Sequence, residues 1–211
     1  MKTTFLFITW LFIHFNETYQ FDYRLVYENI SVKNNTRKIQ HFYTNSENNH
    51  FHAVTYNLEK DTMKFYFRDN NKMTIMLNLE GNYKSPGKVV IPDSLTTNWS
   101  GKNIAKEHYF FSKMNDTILG EKKYTQIKLS PLNPKRAKRK KIGYEIYLVD
   151  TNIKMKPFFN ESLAFEVWRE KKNFPDGLVV EKHYYSYDGK LSYSQVLKEA
   201  SPVSFELIIK K

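Results

Sequence analysis

Residues 62–80 read "TMKFYFRDNNKMTIMLNLE". In the first half Met63, Phe65 and Phe67 alternate with Lys64 and Arg68; in the second, Met73, Ile75, Leu77 and Leu79 share one side. A period of two puts alternate side chains on opposite faces of a strand, whereas a helix would repeat its apolar positions every three or four residues. Between the halves stands Asp69-Asn70-Asn71, whose side chains bond their own backbone and favour a turn. The stretch therefore predicts two strands joined by a turn.

The same alternation recurs along the chain. It places Phe21, Tyr23, Leu25 and Tyr27 on one face of "FDYRLVYE" and Ile142, Tyr144, Ile146 and Leu148 on one face of "IGYEIYLVD". "LAFEVWRE" (163–170) and "VSFELII" (203–209) repeat it, and Ser85-Pro86-Gly87, Pro175-Asp176-Gly177 and Asp188-Gly189 supply turns. About ten strands, many 8–12 residues apart, predict an all-β chain folded as a single antiparallel barrel or a two-sheet sandwich. One-sided alternation argues against a parallel sheet, whose strands are buried on both faces. Helix is scarce. "KLSYSQVLKEA" (190–200), with Leu191, Val196 and Leu197 before Pro202, predicts one short helix near the C-terminus, and Ser100–Lys106 a second. The barrel is lipocalin-like in geometry only, because the Gly-x-Trp cue of lipocalins is missing from the first strand.

The chain opens "MKTTFLFITWLFIHFNETYQ", with Lys2 ahead of an apolar run from Phe5 to Phe15. A membrane span needs about 20 apolar residues, so this run fits the core of a secretory signal peptide instead. Residues 1–20 are expected to be removed after Gln20, leaving 21–211 as one antiparallel β-domain that is secreted and extracellular, with no integral membrane segment. Five sequons agree with export: Asn29-Ile-Ser, Asn34-Asn-Thr, Asn98-Trp-Ser, Asn115-Asp-Thr and Asn160-Glu-Ser. Cysteine is absent, which removes zinc-finger, thiol-protease and redox chemistry. A mature domain of roughly 190 residues can bury a core without disulfides. Hydrophobic content of 41% with 16% aromatic residues marks a folded globule.

Few constellations carry chemistry. His50 and His52, two apart in a strand, could share a metal with His41, Glu47 or His183, but two strand histidines beside an Asn-rich turn explain them and no metal site is assigned. A calcium loop aligned on Gly189 would need oxygen ligands at Tyr184, Ser186 and Gln195 and lacks its bidentate Glu. No Gly-x-Ser-x-Gly exists, and Trp99-Ser100-Gly101 is half of one. Glu166 and Glu170 read as salt-bridged strand carboxylates. No catalytic residue and no cofactor are assigned; a hydrolase with a site assembled only in space is the enzymatic alternative. The aromatic runs at 64–67, 108–111 and 183–187 suit core packing, or a pocket or surface for a small apolar ligand or an extracellular protein.

Charge is strongly local. Residues 101–141 carry twelve Lys and Arg against three acids, +9 of the chain's +11. The crest is the loop at 131–142, where Lys135, Arg136, Lys138, Arg139, Lys140 and Lys141 fall within seven positions. Pro131 and Pro134 predict a stiff, non-helical approach, with the loop joining two paired strands. In an exported chain such a run suits a glycosaminoglycan or an anionic cell surface. Arg136-Ala137-Lys138-Arg139 also resembles a secretory-convertase site, and the run reads as a nuclear import signal in a cytosolic chain. Nucleic acid is not expected, since no aromatic residue interleaves the run. The sequence thus predicts a secreted, glycosylated, non-enzymatic binding protein, with a polyanion-binding factor as the alternative.

Overall fold

The computed structural model describes residues 16–57, 62–80, 87–99 and 106–211. The hairpin at 62–80 forms as read. Five strands run in succession from the start: β1 (Glu17–Ser31), β2 (Thr36–Thr44), β3 (Phe51–Asn57), β4 (Thr62–Asp69) and β5 (Met73–Glu80). Short pieces follow, β6 (Lys88–Pro92), β7 (Thr97–Asn98), β8 (Tyr109–Lys113) and β9 (Thr117–Leu119). Then come β10 (Lys122–Pro131), helix α1 (Pro134–Arg139), β11 (Tyr144–Asp150), helix α2 (Ser162–Lys171), β12 (Leu178–Tyr185) and the long β13 (Leu191–Lys210).

The strands make one sheet in the order β7-β5-β4-β3-β2-β1-β13-β12-β11-β10-β8, with β6 parallel to β13 and β9 on β10. The all-β, antiparallel expectation holds, but the sheet is open: β7 and β8 end it and do not pair with each other. Its spine is β1 against β13, paired from Glu17–Ile209 to Ser31–Tyr193.

Both faces of this sheet are packed. Phe65, Phe67 and Ile75 enter a core built with Tyr19, Phe21, Phe205, Leu207 and Ile209, so the outer ends of β1 and β13 fold back over β4 and β5. From the opposite face, Tyr66 joins a second core of Leu25, Tyr27, Phe42 and Val54, capped by Met155 and Phe158. The third core seats α2, whose Phe165 and Trp168 meet Phe111, Tyr147, Phe159 and Phe174. A register shift between Phe21 and Tyr23 sends Phe21 to the first core and Leu25 and Tyr27 to the second. The single face expected of "FDYRLVYE" is thus divided by a bulge, which bends the strand and re-aims its side chains.

Several local expectations are corrected. "LAFEVWRE" is helix α2: Ala164, Val167 and Trp168 also fit i, i+3, i+4 of a helix, every residue from Ala164 to Trp168 is buried, and Ala164, Phe165, Val167 and Trp168 enter the third core. "KLSYSQVLKEA" is the first half of β13, because β12 and β1 claim its two edges and tertiary pairing overrides a weak helical stripe. Asp188-Gly189 turns the hairpin from β12 into β13, with Gly189 at φ 80° and its N–H donating to the Ser186 carbonyl. In β11 the row entering the helix-covered core is Tyr147 and Val149, not Tyr144 and Ile146. The basic loop does join paired strands, β10 to β11, yet it is helical inside. Asn133 accepts the Arg136 N–H at 2.9 Å, and Pro134 takes the first helical position, where its missing N–H costs nothing.

The expected signal peptide lies largely outside the described residues, as do Ser85-Pro86 and nearly all of the predicted helix at 100–106. β1 begins at Glu17, so the expected cleavage after Gln20 falls inside the strand.

A candidate ligand trough on the sheet

Opposed residues of an antiparallel ladder share a face, and one such row crosses five strands: Lys38, Asn29, Gln195, Lys182 and Tyr147. It is a polar seam through an aromatic wall. Asn29, 7% exposed, donates to Gln40 Oε1 at 2.8 Å, while its Oδ1 accepts from Gln195 Nε2 at 2.9 Å and from the Tyr193 hydroxyl. Lys182, 2% exposed, donates to Asn160 Oδ1 at 3.0 Å and to the Glu161 carboxylate. The Tyr147 hydroxyl donates to Glu145. Burial pushes the Glu145 carboxyl up from its ordinary value, with Lys182 acting against that rise. Burial likewise raises Tyr193, which also feels Glu161, Tyr56 and Glu145. Glu145, Tyr147, Lys182 and Glu161 therefore gather on one side of the sheet.

Beside this seam β4 supplies Lys64, Tyr66 and Arg68, the polar half of the alternation at 62–68. Arg68 is held on three sides. Its Nε donates to the Tyr66 hydroxyl at 2.9 Å and its Nη1 to Ser162 Oγ at 2.8 Å, and the guanidinium lies 5.0 Å from the Trp99 ring centre. Together with Lys38, Ile39, Tyr56 and Met76 these residues line an open groove of about 850 Å3. Among the described residues three cations and no carboxylate line it, and Met76 stands 59% exposed at its side.

No protein-family model and no curated protein sequence matches this chain. Solved structures match it only with low overlap. The chain is similar to MucB in a Pseudomonas aeruginosa MucA/MucB complex, at 7% identity and a TM-score of 0.44 over 86% of this chain and 51% of that one. It is similar to MucB in another crystal structure, at 7% identity and 0.42 over 86% and 53%. It is also similar to a domain described as an outer membrane lipoprotein-sorting protein from Vibrio parahaemolyticus, at 8% and 0.25 over 86% and 85%. The chain spans about half the length of the MucB chains it matches. At such identity and overlap nothing of those proteins' function transfers to it.

The sequence-predicted residues scatter. His50 and His52 occupy different surroundings: His50 Nδ1 accepts from Asn71 Nδ2 at 2.9 Å, while His52 is 3% exposed against Phe158. Among the described residues no group of three His, Asp or Glu could hold a metal ion. Glu166 and Glu170 lie on α2 rather than a strand; Glu166 pairs with Arg169 at 2.5 Å, and Lys106 reaches Glu170 at 3.4 Å. Lys135, Arg136, Lys138, Arg139, Lys140 and Lys141 are all exposed. Of the sequons, Asn34, Asn98 and Asn115 are exposed, Asn160 is half-buried and Asn29 is buried.

One arrangement matches what a hydrolase would need. His183 Nε2 lies 2.8 Å from Glu181 Oε2 and Nδ1 lies 2.9 Å from Ser194 Oγ. The carboxylate takes the imidazole N–H, so Nδ1 accepts the serine O–H, the ordering logic of a triad. Ser194 is nonetheless 6% exposed in mid-strand, opposite Ile30 on one side and His183 on the other. That setting gives an acyl group no approach, and cross-strand pairing explains the contact.

Proposed function

We propose that this is an exported, non-enzymatic binding protein whose trough takes an amphipathic ligand with an apolar or aromatic body and an anionic end. The observation that carries the reading is the groove on this face of the sheet, where Tyr56, Tyr66, Ile39 and Met76 offer apolar surface and Lys38, Lys64 and Arg68 offer charge with no acid among the described lining residues. Binding sites typically combine an apolar concavity with a few convergent polar groups. Arg68 is fixed in advance by Tyr66, Ser162 and Trp99, so it loses little freedom on meeting an anion. The leader-like N-terminus and the sequons support export.

Titration of a dansylated fatty acid followed by fluorescence tests this. Saturable binding is expected, weakened about tenfold, or ~1.4 kcal/mol, by Tyr66→Ala and by Lys64→Glu. An affinity that neither substitution changes would sink the trough as the site.

A second reading rests on a separate observation. The six cations of the basic segment are exposed and, among the described residues, none of them forms an ion pair. Such a cluster suits an acidic partner such as a glycosaminoglycan. Retention on heparin should fall steeply with salt and disappear when Lys135–Lys141 are neutralised; unchanged elution would end this reading.

A further inference from the structure

The basic segment is not a bare loop. The face of α1 carrying Asn133, Arg136, Ala137 and Lys140 covers an apolar slot of about 180 Å3, walled by Tyr109, Pro131, Leu132, Ala137 and Ile142. The slot is built rather than incidental. Leu132 N–H donates to the His108 carbonyl at 2.8 Å, Ile142 N–H to the Ala137 carbonyl at 2.9 Å, and Asn133 caps the helix. Arg136 and Lys140, one helical turn apart, both line it, and among the described residues no carboxylate does.

We propose that this slot docks an acidic peptide segment of a partner protein through one aromatic or branched apolar anchor side chain. The inference rests on the reading of the basic segment as the site of an acidic partner, and it chooses among such partners. An apolar cavity of about 150 Å3 holds a benzene ring, so the space under α1 matches one anchor side chain. A sulfated sugar brings charge but no apolar group to place there. A membrane surface is read by a broad apolar face, yet in this segment only Leu132, 53% exposed, stands out as an apolar residue. An acidic peptide uses both features. Its carboxylates meet the cations, which speed and orient the encounter, and its anchor fills the desolvated slot, which gives the specificity. Arg136 adds bidentate geometry for a carboxylate beside the anchor.

The experiment compares two fluorescein-labelled hexapeptides of Glu and Asp, one with a central Phe and one with Ser in its place, by anisotropy at low salt. Heparin and phosphatidylserine vesicles serve as parallel probes on the same full chain. The Phe peptide should bind at least tenfold more tightly than the Ser peptide. Ala137→Met, which fills the slot, and Leu132→Ser, a surface change that leaves the fold intact, should each erase that difference while heparin retention persists. Equal affinity for the two peptides with heparin retained overturns the anchor inference and leaves the basic-segment reading standing. Failure of peptides and heparin alike overturns both. Vesicle binding without peptide binding assigns the segment to a membrane and overturns the inference.

Discussion

His52 gives the fold one source of acid sensitivity. Burial, with the Arg68 charge adding to it, lowers its pKa to about 3 against 6.5 in the unfolded chain. Below pH 6.5 the unfolded chain therefore binds a proton that the folded chain refuses. Stability attributable to this group is complete above pH 6.5 and is lost as pH falls towards 3. The full span is on the order of 5 kcal/mol, a large part of what holds a domain together. His52→Gln removes the titration while keeping a polar side chain of comparable reach. Denaturant midpoints at pH 4 and pH 7 should differ less in the variant than in the parent protein; equal differences in the two would show that other groups set the acid limit. The doublet at 50–52 suggested a shared metal because residues two apart share a face. In the structure β3 begins at Phe51, so His50 belongs to the turn, and that boundary is not written in the residues themselves.

The element scale shows which signals survive folding. The hairpin of β4 and β5 was legible because its turn residues and its alternation agree. Helix α2 was not, since Leu163, Phe165 and Val167 alternate as neatly as a strand while Ala164, Val167 and Trp168 fit a helix. Periodicity cannot separate these when nearly every side is buried. The trough was hidden for a related reason. Lys64 and Arg68 read as the solvent side of a strand, and only the fold shows that Asn160 and Ser162 reach Arg68 and that Met155 and Phe158 pack in the core that Tyr66 joins. The passage from α1 into β11 hangs on one residue. A Cβ on Gly143 would sit 1.9 Å from the Tyr185 carbonyl oxygen, a backbone atom that cannot swing aside. Gly143→Ala must push β11 from β12 where Tyr144 and Tyr185 stack at 5.2 Å, and overpacking of this kind costs about 1–3 kcal/mol. Thermal unfolding should show that loss. An unshifted midpoint would mean that this end of the sheet gives way freely.

At the scale of the whole molecule, the spine of β1 and β13 decides what processing and glycosylation the folded protein tolerates. Tyr19 is buried and its hydroxyl donates to Asp69 at 2.9 Å, while Glu17 pairs with Lys72 at 3.2 Å and Lys211 at 3.0 Å. Cleavage after Gln20 would strip these contacts and shorten the ladder that carries the first core. Cleavage ahead of Glu17 keeps them. The sequons divide by the same geometry. A glycan on Asn29 would force its amide out of the bonds to Gln40, Gln195 and Tyr193 and through the centre of the sheet, leaving buried polar partners unsatisfied at roughly 1–3 kcal/mol each. Asn34, Asn98 and Asn115 point to solvent and meet no such barrier. Peptide mass mapping of the protein secreted from eukaryotic cells reads both features together. It should find an N-terminus at or before Glu17, glycans on some or all of Asn34, Asn98 and Asn115, and an unmodified Asn29. A glycan on Asn29 in folded material would contradict the pairing of β1 with β2 and β13, because no register that buries Tyr27 on this face can release Asn29 from it.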